Sequence, residues 1–154
     1  MNQDELGSFA ARLQRLMYKL IKSYEQCDEM CLAQFGVTSA QAYTLLALPD
    51  EADVSMNELS ESMGVANSTM TRMVDQLVRK ELVYRRHSED DRRVVRVELT
   101  TQGQKVRQTL ERAQREFLQE GLRDIPEHER TAILQAFETV TKAFAKCVET
   151  CGTN

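Results

Sequence analysis

Two cysteine pairs repeat one spacing: "CDEMC" sets Cys27 and Cys31 four residues apart, and "CVETC" does the same for Cys147 and Cys151. On a helix this separation puts both sulfurs of a pair on one face, close enough to share a soft metal, a metalloid or an oxidant. A bridge within a pair is disfavoured, because side chains one helical turn apart do not readily adopt disulfide geometry. Both pairs also continue apolar stripes, and free cysteine packs as a small buried hydrophobe, so thiol chemistry and plain core packing both stand as readings. A thiol enzyme needs a base beside its nucleophile. No cysteine here has a nearby histidine, and no glycine-rich phosphate loop is present, so enzymatic chemistry is not expected. His87 and His128 each stand alone and read as exposed or capping residues rather than ligands.

A second cluster lies in "HSEDDRRVVRVELTTQG", residues 87 to 103, where acids and arginines fill the gap between two strand-like stretches. An acid beside an arginine can fix the guanidinium in one orientation by a charge-assisted hydrogen bond. The plain alternative is a solvated charge run in a hairpin loop, since exposed charge pairs are common and contribute little. Charge along the chain bears on the choice. Residues 1 to 63 carry 4 basic and 10 acidic groups, residues 64 to 100 carry 8 and 6, and residues 101 to 154 carry 8 and 8. The net charge of -4 therefore conceals a positive middle third. Attraction to phosphate depends on the local field, so a basic patch on an acidic body is compatible with nucleic acid, and the acidic remainder limits indiscriminate binding.

The elements that would position these groups follow from periodicity. Apolar residues at Leu6, Phe9, Leu13, Met17 (or Leu16), Leu20, Tyr24, Cys27 and Cys31 step by threes and fours, predicting one long helix that ends near Gln34. Thr38 with Gln41 makes a capping box for a short helix through Leu48, and Pro49 to Asp53 reads as a turn-rich connector. Ser55 with Glu58 repeats the device and opens a helix to about Met63; a turn containing Gly64 leads to a second helix from about Asn67 to Lys80. Two such helices joined by a tight turn form a helix-turn-helix, with Met70, Met73, Val74 and Leu77 facing the core. "LVYRRH" and "VVRVELT" then pair as a hairpin with Val95, Val97 and Leu99 on one face and Arg96 and Glu98 on the other. A hairpin in that place is a wing. Thr100 or Thr101 starts another long helix with Val106, Leu110, Ala113 and Phe117 in step, and Pro126 opens a final helix carrying Ile133, Phe137, Val140, Phe144, Cys147 and Cys151.

The order of elements and three segments, "VTSAQAYTLLAL" at 37 to 48, "SMNELSESMGVANSTMTRMVDQLVRKELVYR" at 55 to 85 and "DDRRVVRVELTTQG" at 90 to 103, resemble the MarR family of bacterial transcription regulators. The likeness runs over nearly the whole chain. It implies a mainly α fold with a small β-hairpin wing, in which residues 37 to 100 are a winged helix-turn-helix for double-stranded DNA. Residues 1 to 36 and 101 to 154 would form a helical dimerisation region, and each subunit of the homodimer would read half of a palindrome. The resemblance makes Asp91 the acid that orients the wing, Arg93 the side chain entering the minor groove, and Arg92 a phosphate or structural partner. Arginine suits that groove because narrow A·T-rich grooves concentrate negative potential. On the recognition helix, Asn67, Ser68, Thr69, Thr71 and Arg72 are the candidate DNA contacts, short hydroxyls meeting phosphate and the arginine reaching guanine. Capping alone is the plain reading for Asn67 and Ser68. Two departures stand out. Ala66 takes the place of the usual capping serine or aspartate, so Asn67 is expected to cap instead, and Glu81 replaces the glycine that usually ends this helix, which leaves the helix-to-strand turn either open or mildly strained.

With 154 residues and 42% hydrophobic content the chain has enough material for one compact domain with helical arms. Its longest apolar stretches fall far short of a membrane span, and "MNQDELGS" lacks the features of a secretory signal, so a cytoplasmic protein without membrane partners is expected. In that compartment the four cysteines do not form a structural disulfide framework. No cofactor is required; a thiophilic metal or metalloid at Cys27, Cys31, Cys147 and Cys151 is the candidate ion. The effector reading stays divided between a thiol-reactive ion or oxidant and a small aromatic or lipophilic ligand with structural cysteines. A protein-interaction module built on a winged helix is the competing class, and it leaves the wing arginines idle.

Overall fold

The computed structural model describes residues 3–151, with the side chains of residues 3, 31 and 148–151 outside that description. In chain order the elements are α1 (Gln3–Ala33), α2 (Ser39–Ala47), β1 (Val54–Ser55), α3 (Met56–Met63), α4 (Asn67–Arg79), β2 (Val83–His87), β3 (Val95–Leu99), α5 (Thr101–Gly121) and α6 (Glu127–Cys151). They fall into two compact units, Met1–Arg115 and Glu116–Asn154.

Local chemistry starts the short helices where the sequence predicts. Thr38 Oγ1 accepts from the Gln41 amide at 3.3 Å while the Gln41 side chain accepts from the Thr38 amide, and Ser55 and Glu58 reciprocate in the same way at α3. Each box satisfies two backbone donors that a helix start leaves unpaired. The Glu58 carboxyl is held below its ordinary range, first by the Ser55 backbone amide and then by the Ser55 side chain. Gly64 ends α3 at φ 63°, and the Val65 amide returns to the Ser60 carbonyl at 3.0 Å. That left-handed residue turns the chain into α4 at no steric cost.

The sheet is larger than the expected hairpin. β2 and β3 pair antiparallel with Val83 opposite Leu99 and Arg86 opposite Arg96, and β1 adds a third strand on the other side of β3, Val54 opposite Val97. Ser55 thus belongs to a strand and caps a helix at once. One face of the sheet closes over α2, α3 and α4: Leu45, Leu59, Met70, Val74, Leu77 and Val97 are buried, and Met73 is half-buried against the Thr44 hydroxyl. Full burial of one such side chain is worth about 1.5 to 3 kcal/mol, so these residues supply the favourable term that holds the helix-turn-helix together.

Two expectations about α4 have different outcomes. Asn67 does not cap it: Ala66 occupies the cap position with no side-chain bond, and the Asn67 Oδ1 instead accepts from the Ser60 hydroxyl at 2.7 Å. The turn at Gly64 brings the start of α4 back against α3, and that contact takes the side chain away from its own helix. Glu81 does adopt the left-handed conformation, at φ 59°, with its amide bonded to Val78 O and the Leu82 amide to Leu77 O. The helix closes with the pattern a glycine would normally serve.

α1 is anchored at its carboxyl-terminal end. Leu32 is buried, and the buried Asp28 accepts from the Tyr43 hydroxyl at 3.0 Å and from Gln114 Nε2 at 3.4 Å. Burial, followed by the bond to Asp28, pushes the Tyr43 hydroxyl far above its ordinary value, so it remains a donor. Earlier in α1 the apolar stripe is open: Leu6, Phe9, Leu16 and Leu20 are exposed, Phe9 by 58%. In the second unit α6 likewise exposes Leu134, Phe137 and Phe144.

Candidate nucleic-acid interface

The buried positions Met70, Val74 and Leu77 fix which side of α4 faces outward. At helical spacing the opposite side carries Ser68, Arg72, Asp75 and Arg79. Ser68, Thr69 and Arg72 are exposed, as a DNA-contacting surface requires. Thr71 is half-buried and its hydroxyl donates to the Asn67 carbonyl at 2.8 Å, so part of its hydrogen-bonding capacity is spent within the helix. Asp75 ion-pairs with Arg85 of β2, which ties α4 to the inner face of the wing.

At the wing tip the Asp91 carboxylate accepts from Arg93 Nε at 3.2 Å, Arg93 Nη2 at 3.1 Å and the Arg93 backbone amide at 3.0 Å. The loop closes through the Val94 amide to Asp91 O and the Ser88 amide to Val94 O. Arg93 is nevertheless 91% exposed. Its side-chain bonds, and then its backbone amide, hold the Asp91 carboxyl below the ordinary range. An exposed ion pair adds little to stability, so this arrangement does more for orientation than for folding. Arg92 is exposed beside His87, Ser88 and Glu89 in a shallow depression.

The start of α4 and the wing tip meet in one groove. A cleft of about 370 Å³ is lined by Ser55, Met56, Asn57, Asn67, Arg93, Val94 and Val95. It unites two residues that the sequence singles out separately, Asn67 and Arg93.

One constellation was not legible. Asp53, read as the end of a connector, sits between two arginines of the wing: its Oδ2 accepts from Arg86 Nη2 at 2.6 Å, and its Oδ1 from Arg96 Nε at 2.8 Å and Nη2 at 2.6 Å. Glu58 lies 3.6 Å from Arg96 Nη1. Asp53 raises the affinity of the Arg96 guanidinium for its proton further still. Nothing local in the sequence announces these contacts; only the hairpin register, which sets Arg86 opposite Arg96, shows that two like charges need an acid between them.

The thiols give less. Cys27 is half-buried and Cys147 exposed, while the side chains of Cys31 and Cys151 lie outside the described residues. Among the described residues no group of three or more His, Cys, Asp or Glu could hold a metal ion. His87 is exposed, and His128 is exposed with Glu129 at 3.8 Å. No helix among the described residues is long and apolar enough to cross a membrane.

A helix-turn-helix whose second helix is followed at once by an arginine-tipped wing defines a winged helix-turn-helix protein. Comparison with known proteins narrows the class. The sequence model of the MarR family matches residues 37–95. The chain is 33% identical over 96 residues to the HTH-type transcriptional repressor MdtR of Bacillus subtilis, a match spanning 62% of this chain and 57% of that repressor. It is 30% identical over 110 residues to the HTH-type transcriptional regulator YsmB of the same organism, spanning 71% of this chain and 75% of that one. Among solved structures, a mutant of MarR from E. coli complexed with operator DNA aligns with a TM-score of 0.72 at 25% identity, covering 84% of this chain and 93% of that chain. The chain belongs to the MarR family, a family of DNA-binding transcription regulators and not of enzymes.

Proposed function

We propose that the chain acts as a homodimeric repressor that binds a palindromic operator in double-stranded DNA and leaves it when an effector binds. The observation that carries this reading is Arg93, pinned by Asp91 yet almost fully exposed, on the same groove as the start of α4. In this reading α4 lies in the major groove with Ser68, Thr69, Thr71 and Arg72 toward the bases and phosphates, Asn67 borders the groove to the wing, and Arg92 meets a phosphate. Residues 37–100 form the DNA-binding region. Residues 1–36 and 101–154 form the dimerisation region, because the exposed apolar residues of α1 and α6 make patches that a lone chain leaves in water. Two-fold symmetry then sets the half-sites about one helical turn, roughly 34 to 36 Å, apart.

The effector reading that the cysteine spacing supports is a thiophilic ion or an oxidant acting at Cys27, Cys31, Cys147 and Cys151, which would release DNA only by favouring one spacing of the recognition helices over another. The half-burial of Cys27 favours a second reading, in which the cysteines pack and a small aromatic or lipophilic ligand is the effector.

A gel shift on the DNA upstream of the protein's own coding sequence, repeated across salt concentrations, tests the DNA reading. Specific retardation that weakens steeply with salt is expected, and no preference over unrelated DNA overturns it. Sedimentation at micromolar concentration tests the dimer, which a monomer would eliminate. Adding zinc, cadmium, arsenite or peroxide to the reduced protein on DNA, with each cysteine pair changed to serine in turn, separates the two effector readings.

A further inference from the structure

Arg86 and Arg96 stand directly opposite each other in the β2–β3 register, so their side chains share the outer face of the wing. Like charges in that relation push a hairpin apart. Asp53 resolves the conflict by accepting from both, and its backbone carbonyl takes a further contact from Arg96 Nη2 at 3.5 Å. The acid comes from the segment that leads into β1, and Glu58, which caps α3, faces the same guanidinium. On the inner face Arg85 pairs with Asp75 of α4. The wing is therefore tied on both faces, to α4 through Asp75 and to the segment that leads into β1 and α3 through Asp53. The outer tie is the better shielded: the Asp53 side chain is 17% exposed and that of Arg96 31%, so solvent screens it less than the pair at the wing tip.

We propose that Asp53 is a positioning residue for DNA recognition: by clamping Arg86 and Arg96 to the start of the helix-turn-helix it fixes the approach of the wing, and it keeps both arginines away from phosphate. The inference rests on the wing reading given above and adds a residue that touches no DNA itself. Its two effects have opposite signs when the clamp opens. A freed wing presents Arg93 less accurately, which lowers discrimination. Two freed arginines offer new phosphate contacts, which raise sequence-independent binding and steepen its salt dependence by about one unit of log–log slope per arginine.

The experiment measures binding by fluorescence anisotropy on a duplex selected from a random pool with the wild-type protein, and on a scrambled duplex of the same length. Full-length wild type, Asp53→Asn, Asp53→Glu, Arg93→Ala and the Asp53→Asn/Arg93→Ala double variant are compared at several salt concentrations. Asp53→Asn is expected to lower the ratio of selected to scrambled affinity by about tenfold, with scrambled binding unchanged or stronger. Asp53→Glu keeps the charge and restores most of the ratio. Because the positioning effect acts through the wing tip, the double variant should lose no more affinity for the selected duplex than Arg93→Ala alone. An unchanged ratio in Asp53→Asn overturns the proposal, and so does a double variant whose loss of affinity for the selected duplex is the product of the two single losses. If Arg93→Ala alone binds as wild type does, the wing reading itself fails and the clamp falls with it. Should Asp53→Asn not fold, Arg86→Gln/Arg96→Gln opens the same clamp from the other side, with the same loss of ratio expected and an unchanged ratio again decisive against it.

Discussion

Gly103 lies against the backbone of Leu82 so closely that a Cβ added at position 103 would stand 1.9 Å from the Leu82 carbonyl oxygen. The approach has a local cause. Thr100 donates its amide to Leu82 O at 3.1 Å and its hydroxyl to Glu81 O at 2.7 Å, and it accepts from the Gly103 amide at 2.9 Å. One threonine thus caps α5 and fastens it to the turn between α4 and the wing. Helix propensity alone makes Gly103→Ala favourable by about 1 kcal/mol. The steric argument wins, because the obstacle is backbone already committed to a hydrogen bond. Gly103→Ala should lower stability by about 1 to 3 kcal/mol, read as a lower urea midpoint at unchanged slope. A raised midpoint would show that α5 can move away freely.

The neighbouring turn carries the opposite prediction. Glu81 holds φ 59° without glycine's freedom, and a left-handed non-glycine residue costs about 1 kcal/mol or more. Glu81→Gly should therefore raise stability by about 1 kcal/mol, and Glu81→Asn by less, since asparagine tolerates that region better than glutamate does. Equal midpoints for all three proteins would mean that the turn stores no strain.

Glu81 shows how far local sequence carries, and Gly103 where it stops. Capping boxes at Thr38 and Ser55, and the missing glycine at Glu81, are local signals spanning a few residues, and local geometry followed them. The Asp91–Arg93 pair is also local, two positions apart, but an acid run beside two arginines allows several pairings, and it was the family resemblance that singled out this one. β1 was invisible because a two-residue strand has no periodicity; it forms only because β3 offers a free ladder edge. The Asp53 clamp joins residues 33 and 43 positions apart, and Gln41 meets Gln76 across the core at 2.8 Å. Such contacts are products of the assembled fold. Asn67 failed as a cap for a related reason: the preference is local, and a tertiary partner, Ser60, outcompeted it.

Protonation of Asp91 gives a direct measure of the wing-tip contact. Its carboxyl lies below the ordinary value of 3.8 because Arg93 binds the charged form. A depressed value means that the interaction is complete above 3.8 and is lost as pH falls through the lowered folded value, so binding between pH 6 and 8 should not vary on account of Asp91. An NMR titration of the Asp91 carboxyl carbon should give a midpoint below 3.8 in the wild type, returning toward 3.8 in Arg93→Ala. A wild-type midpoint at or above that value would mean that the pair does not persist in solution.

Whether the same pair serves recognition or only decorates a loop can be decided by comparing affinity with stability. Arg93→Ala should weaken operator binding by about 1 to 3 kcal/mol if the guanidinium enters a groove. Asp91→Ala should cost nearly as much affinity, because it frees the guanidinium to rotate, while moving the urea midpoint little, since an exposed pair contributes little to folding. The two losses should not add in the double variant, where there is no longer an arginine to orient. Arg93→Lys keeps the charge but lacks the planar fork that grips Asp91 at two nitrogens, so it should resemble Asp91→Ala more than the wild type. Affinities unchanged across all four variants would return the segment to an ordinary solvated charge run, and losses confined to stability would assign Asp91 to the turn alone.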